Sequence, residues 1–427
     1  MSATESATGP VVAKQSRMPK WFAGFKEDYQ KVFVEEWSPY LGFMFLVGLV
    51  MVLMASGVFW AVFGGLRLWG DHINNAIGLG GVLGISDNLK SPLLQHASIM
   101  NIALLLGAFT AALMSWQFAV RRAPKSEYVY GAVGGSLMGI GATLAGGCTV
   151  GGFFVPLTFS APGGWMMWLG LLIGAWIGLK LLLWGMENIT WGTTAPKQWN
   201  MPLKRYYPVL GVAVVIGVII WAARWFALGD AYKAVLALML IAGFGIGFVV
   251  HRSRLCFARA IREPFMTAEG DMTKAMIVAI AVGALFGSVL LQNGTIDPYV
   301  VITTRFWIGA LAGGVIFGIG MVLAGGCASG ALWRVGEGHL KLVVAVFFFA
   351  WIGSIASALL GRLGVTTSTL DIDFKDGMVE YSQLAYQAYL PELLGSWPQT
   401  YGVMLAVLAI WWILVRYNES TEKFTVL

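Results

Sequence analysis

Long apolar stretches alternate with short polar breaks along almost the whole chain, at 41–63, 99–118, 165–186, 208–228, 232–250, 276–292, 340–363 and 400–415. Each approaches the roughly 20 residues that cross the hydrocarbon core of a bilayer, so the pattern predicts eight ordinary transmembrane helices. Two further apolar stretches, 128–160 and 306–333, are interrupted by Ala145-Gly146-Gly147-Cys148 and Ala324-Gly325-Gly326-Cys327. Each reads as two half-helices meeting at a glycine turn. Non-helical backbone at membrane depth needs protein or water as a partner, so each break is expected to be buried against protein or to line a cavity. The predicted architecture is an all-α polytopic membrane protein of about ten spans with broken half-helix hairpins.

The two broken stretches repeat each other. Aligned at a constant offset of 179, Gly134 to Phe154 and Gly313 to Trp333 share 11 identities in 21 positions, among them Ile140, Leu144, Ala145 and Cys148. Glycine bias alone does not match isoleucine, leucine, alanine and cysteine as well. If every apolar stretch crosses once, the first copy runs outward and the second inward. That is a pseudo-inverted two-fold repeat, the plan in which transporters place substrate between discontinuous helices at the midplane.

Composition sharpens this picture. Hydrophobic residues make up 58% and charged residues 12%, against about 45–50% and about 25% in soluble domains. The formal net charge of +6 fits Lys- and Arg-rich cytoplasmic loops, so nucleic-acid binding is discarded. Basic residues at Arg121, Arg122 and Lys125, at Lys197, Lys204 and Arg205, and from His251 to Arg262 place the amino terminus inside. The expected organisation is a cytoplasmic N-terminal segment 1–39, membrane halves 40–207 and 208–417, a polar loop 364–398 in the second half, and a tail 418–427. The acidic stretch from Thr366 to Ser396 reads as an external loop, with a cytoplasmic insert as the alternative. No cleaved signal peptide is expected. Tryptophans near predicted span ends, such as Trp60, Trp184 and Trp411, read as an interfacial belt.

The three cysteines, Cys148, Cys256 and Cys327, cannot all pair, and neither zinc-type spacing nor a haem motif is present. No nucleotide-binding fingerprint suggests ATP hydrolysis by this chain. Buried cysteine usually acts as a small apolar residue and glycine-rich faces usually serve packing. Packing does not require the same thiol at both duplicated turns, however. Glycine lets a ligand approach backbone N–H groups, and a helix beginning after the turn aims its positive end at the same place. Thiol, N–H donors and dipole together suit a soft anion. The candidate binding set is therefore Cys148, Cys256 and Cys327, the turn glycines Gly146, Gly147, Gly325 and Gly326, and the flanking Arg254 and Arg334. Arg334 and Glu337, three apart, can form a helical pair or a gate. Nearby arginines make Cys256 the most reactive thiol if it is exposed.

These residues resemble the YeeE/YedE sulfur-transport family, whose members include a bacterial inner-membrane thiosulfate transporter and proteins proposed to carry selenium. The resemblance rests on both AGGC turns, on Gly330-Ala-Leu-Trp-Arg334 with Gly336 and Gly338, on Gly247-Phe-Val-Val-His-Arg-Ser-Arg-Leu-Cys256, on Gly57-Val-Phe-Trp-Ala61 and on Cys148-Thr-Val-Gly-Gly-Phe-Phe154. It extends from about Tyr40 to Tyr417 and is nearest the longer YedE-like branch. The resemblance implies an hourglass-shaped, non-enzymatic importer or channel of the bacterial inner membrane, without cofactor or metal, whose thiols pass an anion through a narrow centre. A cytoplasmic sulfurtransferase-like partner is implied in the same way. At the repeat offset, Cys256 aligns with polar sequence around Ile77, so its motif has no obvious first-half counterpart. Two alternatives stay open: a membrane sulfurtransferase or thiol redox protein with Cys256 as nucleophile, and a Cu(I) carrier using all three thiols.

Overall fold

The computed structural model describes residues 20–189, 197–199, 204–297, 308–365 and 389–426. Residues 1–19 of the N-terminal segment and 366–388 of the acidic loop lie outside the described residues. The described residues are helical almost throughout. Among the described residues nine helical segments are long and apolar enough to span a bilayer, or ten if Gly24–Val34 and Pro39–Ala55, bent by 76°, count as one.

The first repeat comprises α2 (Pro39–Ala55), a short α3 (Phe63–Ala76), α4 (His96–Met114), α5 (Lys125–Ala145), a short α6 and α7 (Pro162–Asn188). Helix α6 is π-helical over Thr149–Phe154 and continues over Val155–Thr158. Helix α8 (Tyr207–Ala227) follows. The second repeat runs through α9 (Ala231–Arg252), a short α10 (Phe257–Met266), α11 (Asp271–Gln292), α12 (Ile308–Ala324), a short α13 (Ala328–Glu337) and α14 (Leu340–Arg362). The last span is α15 (Trp397–Thr421), and α1 (Lys20–Tyr29) precedes the whole bundle. Among the described residues only β1 (Val120–Arg122) and β2 (Lys197–Trp199) pair as strands, antiparallel.

Glycine decides how the repeats meet. A Cβ at Gly134 would stand 2.5 Å from Ala324 N and 2.6 Å from Gly320 O, and one at Gly313 would stand 2.5 Å from Ala145 N and 2.6 Å from Gly141 O. Gly313 is the repeat equivalent of Gly134, Ala324 of Ala145 and Gly320 of Gly141, so each contact recurs with the copies exchanged. Two antiparallel helices with reciprocal contacts are related by a twofold lying across them, the signature of an inverted repeat. Bare backbone on both sides lets α5 and α12 touch main chain to main chain, which pairs of larger residues cannot do.

Large apolar side chains on α8, such as Val209 at 66%, Ile219 at 59% and Ile220 at 52% exposed, face outward as expected for the lipid boundary. Trp60 and Trp411, at 0% and 4% exposed, are buried inside the protein and do not belong to the expected tryptophan belt, whereas Trp184 is 58% exposed. The apolar run 41–63, read as one span, ends as a helix at Ala55 and turns before α3 begins at Phe63. Gly57, at φ 73°, makes that turn.

Candidate functional site

All three cysteines occupy the same local position. Each is the N-cap of a short helix: Cys148 of α6, Cys256 of α10 and Cys327 of α13. Their carbonyls accept the first bonds of those helices, from Gly152 N at 2.6 Å, Ala260 N at 3.0 Å and Ala331 N at 2.7 Å. Each sulfur is thereby held over a ring of backbone donors. The N–H groups of Val150 and Gly151, and those of Val62 and Phe63 at the start of α3, approach the Cys148 sulfur. Those of Gly330 and Ala258 approach Cys327. Helix N-termini carry unsatisfied N–H groups and roughly half a positive charge, which is what an anion requires.

The AGGC turns create this geometry by ending the preceding helix sharply. Gly146 and Gly325 take φ of 77° and 85°, a conformation nearly closed to other residues. The N–H groups of Gly325 and Gly326 both bond to Met321 O, at 3.1 and 3.0 Å, and so close the end of α12. The turn glycines of the second copy therefore shape the site without offering donors to a ligand; the first turn of the following helix provides them. Gly147 has a steric task, since a Cβ there would stand 2.7 Å from Gly152 N, whereas Gly326 is unconfined to 3.5 Å.

Cys256 and Cys327 meet, with Sγ atoms 3.9 Å apart. Gly330 makes room for the pair: a Cβ there would lie 2.6 Å from Cys256 Sγ and 3.2 Å from Cys327 Sγ. Cys148 stands apart from them. The reciprocal contacts place Ala145 beside Gly313 and Ala324 beside Gly134, so the helix ends preceding the two turns are separated by eleven residues of α5, roughly 16 Å at 1.5 Å per residue. Phe154 of α6 and Phe257 of α10, with ring centroids 5.1 Å apart, lie between these helices and pack on Phe43 at 6.2 and 5.8 Å. The described thiols are thus one lone thiol and one close pair, with Phe154 and Phe257 packed together at the helices that Cys148 and Cys256 open. Among the described residues no three His, Cys, Asp or Glu side chains are placed to hold a metal ion together, so the three thiols do not make the shared cage that Cu(I) carriage by all of them needs. All three are buried, at 0 to 1% exposed; Cys256 is not the exposed thiol on which its high reactivity was conditioned.

The inverted repeat reveals what stands opposite Cys256. A Cβ at Gly151 would meet the Ala61 Cβ at 3.3 Å, as one at its equivalent Gly330 meets Cys256. Phe63 N–H approaches Cys148 as Ala258 N–H approaches Cys327. Ala61 is therefore the first-half counterpart of Cys256, and the region around Ile77 is not. The constant offset of 179 fails here because the loops before the broken helices differ in length between the copies. In the sequence Gly330 and Ala61 stand only within the family motifs and not among the candidate site residues, although Gly330 matches Gly151 at the repeat offset.

Arg334 donates to Gly325 O at 2.8 Å and lies 5.1 Å from the Trp333 ring, so it braces the second turn instead of pairing with Glu337. The Glu337 carboxylate, 3% exposed, takes Arg254 Nη1 at 3.1 Å and Arg121 Nη1 at 3.0 Å. This pairing across elements replaces the expected helical one because α13 ends against the basic loop: Ala119 N bonds Glu337 O at 3.3 Å and Arg121 N bonds Gly338 O at 2.8 Å.

A sequence profile described as Sulphur transport matches residues 5–177 and 252–426. The chain belongs to the sulphur-transport family. The two matched blocks each contain one AGGC turn and the short helix after it, so the family profile matches once in each structural repeat. Among relatives, the probable transporter YedE of Escherichia coli is 29% identical over 314 residues, 70% of this chain and 73% of its own length. Its counterpart from Salmonella typhimurium is 30% identical over the same extent. The thiosulfate transporter TsuA of Escherichia coli is 34% identical over 189 residues, 44% of this chain and 49% of that protein. The protein is a multi-pass membrane transporter of this family.

Sulfur proximity gives a direct check of the close pair. A diffusible thiol oxidant should join Cys256 to Cys327, since small side-chain rotations bring such sulfurs to bonding distance, and should leave Cys148 unlinked. Peptide mass spectrometry reads the linked pair; Gly330→Ala should suppress it by forcing the sulfurs apart. A Cys148 link in its place contradicts the separation of the lone thiol from the pair.

Proposed function

We propose that this transporter imports a small soft anion, thiosulfate or a related sulfur or selenium species, across the bacterial inner membrane past Cys148 and then the Cys256–Cys327 pair. The observation that carries the reading is the recurrence of a buried thiol at the N-cap of each of three short helices. A divalent oxyanion is strongly hydrated, and donors must replace its water inside the protein. First-turn N–H groups of α6, α10 and α13 suit the oxygens. Neutral S–H groups suit the terminal sulfur, whereas a thiolate would repel the ion. Arg334 and Arg254 supply positive potential on the side of the close pair.

The relatives support the substrate class, because one that shares 34% identity is a thiosulfate transporter. Arg121 of β1 and Lys197 of β2 lie on paired strands, and Arg254 joins Arg121 at Glu337, so the basic loops gather on one face. We assign that face to the cytoplasm by the positive-inside rule. The Tyr29 hydroxyl donates to Met114 O at 2.7 Å at the end of α4, which puts the described N-terminal residues on the same side. A sulfurtransferase-like acceptor is the partner this face suits.

One observation favours a second reading, a sulfurtransferase or thiol redox protein: the 3.9 Å approach of Cys256 and Cys327 allows a resolving thiol beside a nucleophile. Uptake of radiolabelled thiosulfate into liposomes holding the purified protein, with sulfate and selenite as competitors, separates the two. Transport predicts accumulation with unmodified thiols, stronger competition from the softer anion, and no persulfide by mass spectrometry. A trapped persulfide on Cys256 without accumulation overturns transport.

A further inference from the structure

Around Glu337 the basic face carries more cation than that one carboxylate can neutralise. Glu337 is gripped by Arg254 through both oxygens at 3.1 Å, by Arg121 at 3.0 Å and by His339 at 3.5 Å. Arg254 also reaches Glu36 at 3.1 Å and Gln117 at 2.7 Å, but the Glu36 side chain is 61% exposed and screened by water. Next to Arg254 in sequence, Arg252 is 0% exposed, with Nη2 donating to Glu35 O and with Nε and Nη1 lacking any partner. His251, also 0% exposed, has both ring nitrogens unpartnered, and Glu337, Arg254, Arg252 and Arg121 all lie within its electrostatic range.

Buried polar groups almost always have partners, and an unpaired buried guanidinium N–H is costly. Arg252 lies in electrostatic range of Arg254 and not of Glu337, so Arg252 and Arg254 together offer guanidinium donors to an anion larger than the one carboxylate that Arg254 and Arg121 already hold. The elements that carry it are those that carry the thiols. Arg252 and Arg254 lie four and two residues before Cys256, with Arg254 at φ 51°. Glu337 closes the helix that Cys327 opens.

We propose that Arg121, Arg252 and Arg254 form a second anion site, on the basic side of the Cys256–Cys327 pair, and that the Glu337 carboxylate occupies it whenever no transported anion is there. An oxyanion leaving the thiol pair displaces Glu337 and takes over its guanidinium partners. When the ion departs, the carboxylate returns and bars re-entry of cytoplasmic anions. The proposal rests on the transport reading for its direction, but the site itself recognises sulfate-like oxygens and needs no thiol.

Equilibrium binding of radiolabelled sulfate to the detergent-purified full chain tests it. Removing a competing internal anion that fills the site most of the time should raise apparent affinity by about tenfold, so Glu337→Gln is expected to bind sulfate about tenfold more tightly than wild type. Adding Arg254→Met to that variant should abolish the gain. A purely structural ion pair predicts lower thermal stability with no gain in affinity, and that outcome overturns the proposal. Should Glu337→Gln not purify, Arg252→Met in the otherwise unchanged chain is decisive: sulfate binding must weaken, and unchanged binding overturns it. The Cys256→Ala, Cys327→Ala double variant is expected to keep sulfate binding, so a failure of thiosulfate transport stays distinguishable from a failure of this site.

Discussion

Replacing Cys327 by alanine is expected to lower the initial rate of thiosulfate uptake roughly five- to thirtyfold, the factor that one or two kcal/mol represents. A hydrogen bond to an ionised partner is worth about 1.5–3 kcal/mol, and a thiol, as a weak donor, falls toward or below the bottom of that range. Cys327 should show the larger effect of the two duplicated cysteines, because its sulfur is shared with Cys256 at 3.9 Å and both would contact the same ion. Cys148→Ala removes a lone thiol and should reduce flux by a smaller factor. The substitution leaves only a small cavity at a fully buried site, so the protein should remain folded, as near-normal retention on size-exclusion chromatography would show. Cys327→Ser separates donor from softness. It keeps a hydroxyl donor of similar size, so it should retain more sulfate competition than thiosulfate flux. Wild-type uptake in both alanine variants would mean that the thiols merely pack.

The second large effect concerns folding. Gly141→Val or Gly320→Val should prevent accumulation of folded protein in the membrane. Main-chain atoms of the facing helix lie 2.6 Å from where a Cβ would sit at either position, and both positions are helical. Backbone cannot rotate away as a flexible side chain can, so α5 and α12 must separate. Overpacking costs about 1–3 kcal/mol where side chains can adjust, and more is expected where two backbones touch. The same separation would move both AGGC turns, which end these helices. Because the contacts are reciprocal, the two variants should behave alike in a fluorescence-detected chromatography or thermal-shift assay. Gly217→Val on α8, where nothing lies within 4 Å of the added atom, is the control expected to fold normally. A folded Gly141→Val protein of wild-type stability would break the packing account of the repeat.

The close pair and the lone thiol also differ in how they could be read beforehand. The AGGC turns were legible because a turn in an apolar run demands glycine and a duplicated cysteine stands out against that background. Cys256 was legible as a thiol beside arginines, but its contact with Cys327 joins residues 71 apart along the chain through a helix whose length no local pattern gives. Ala61 carries no chemical signal, and only the reciprocity of glycine contacts identifies it as the place where the first repeat lacks a thiol. The pairing expected between Arg334 and Glu337 follows from helical spacing alone. It failed because the end of α13 meets β1 and the turn before Cys256, where two better-placed guanidiniums compete for the carboxylate.

The amino-acid sequence by itself determined that this protein is a bundle of membrane helices, that two of them break at matching glycine-cysteine turns, and that its basic loops share a side. Those properties follow from the cost of burying polar backbone in hydrocarbon and from conformations that only glycine adopts easily, both readable residue by residue. Tertiary structure alone decided which thiols meet, which amides face them and which arginines are already occupied. Such contacts depend on where short helices of differing length end in space, and a change of one loop moves a side chain several ångströms without altering any local pattern.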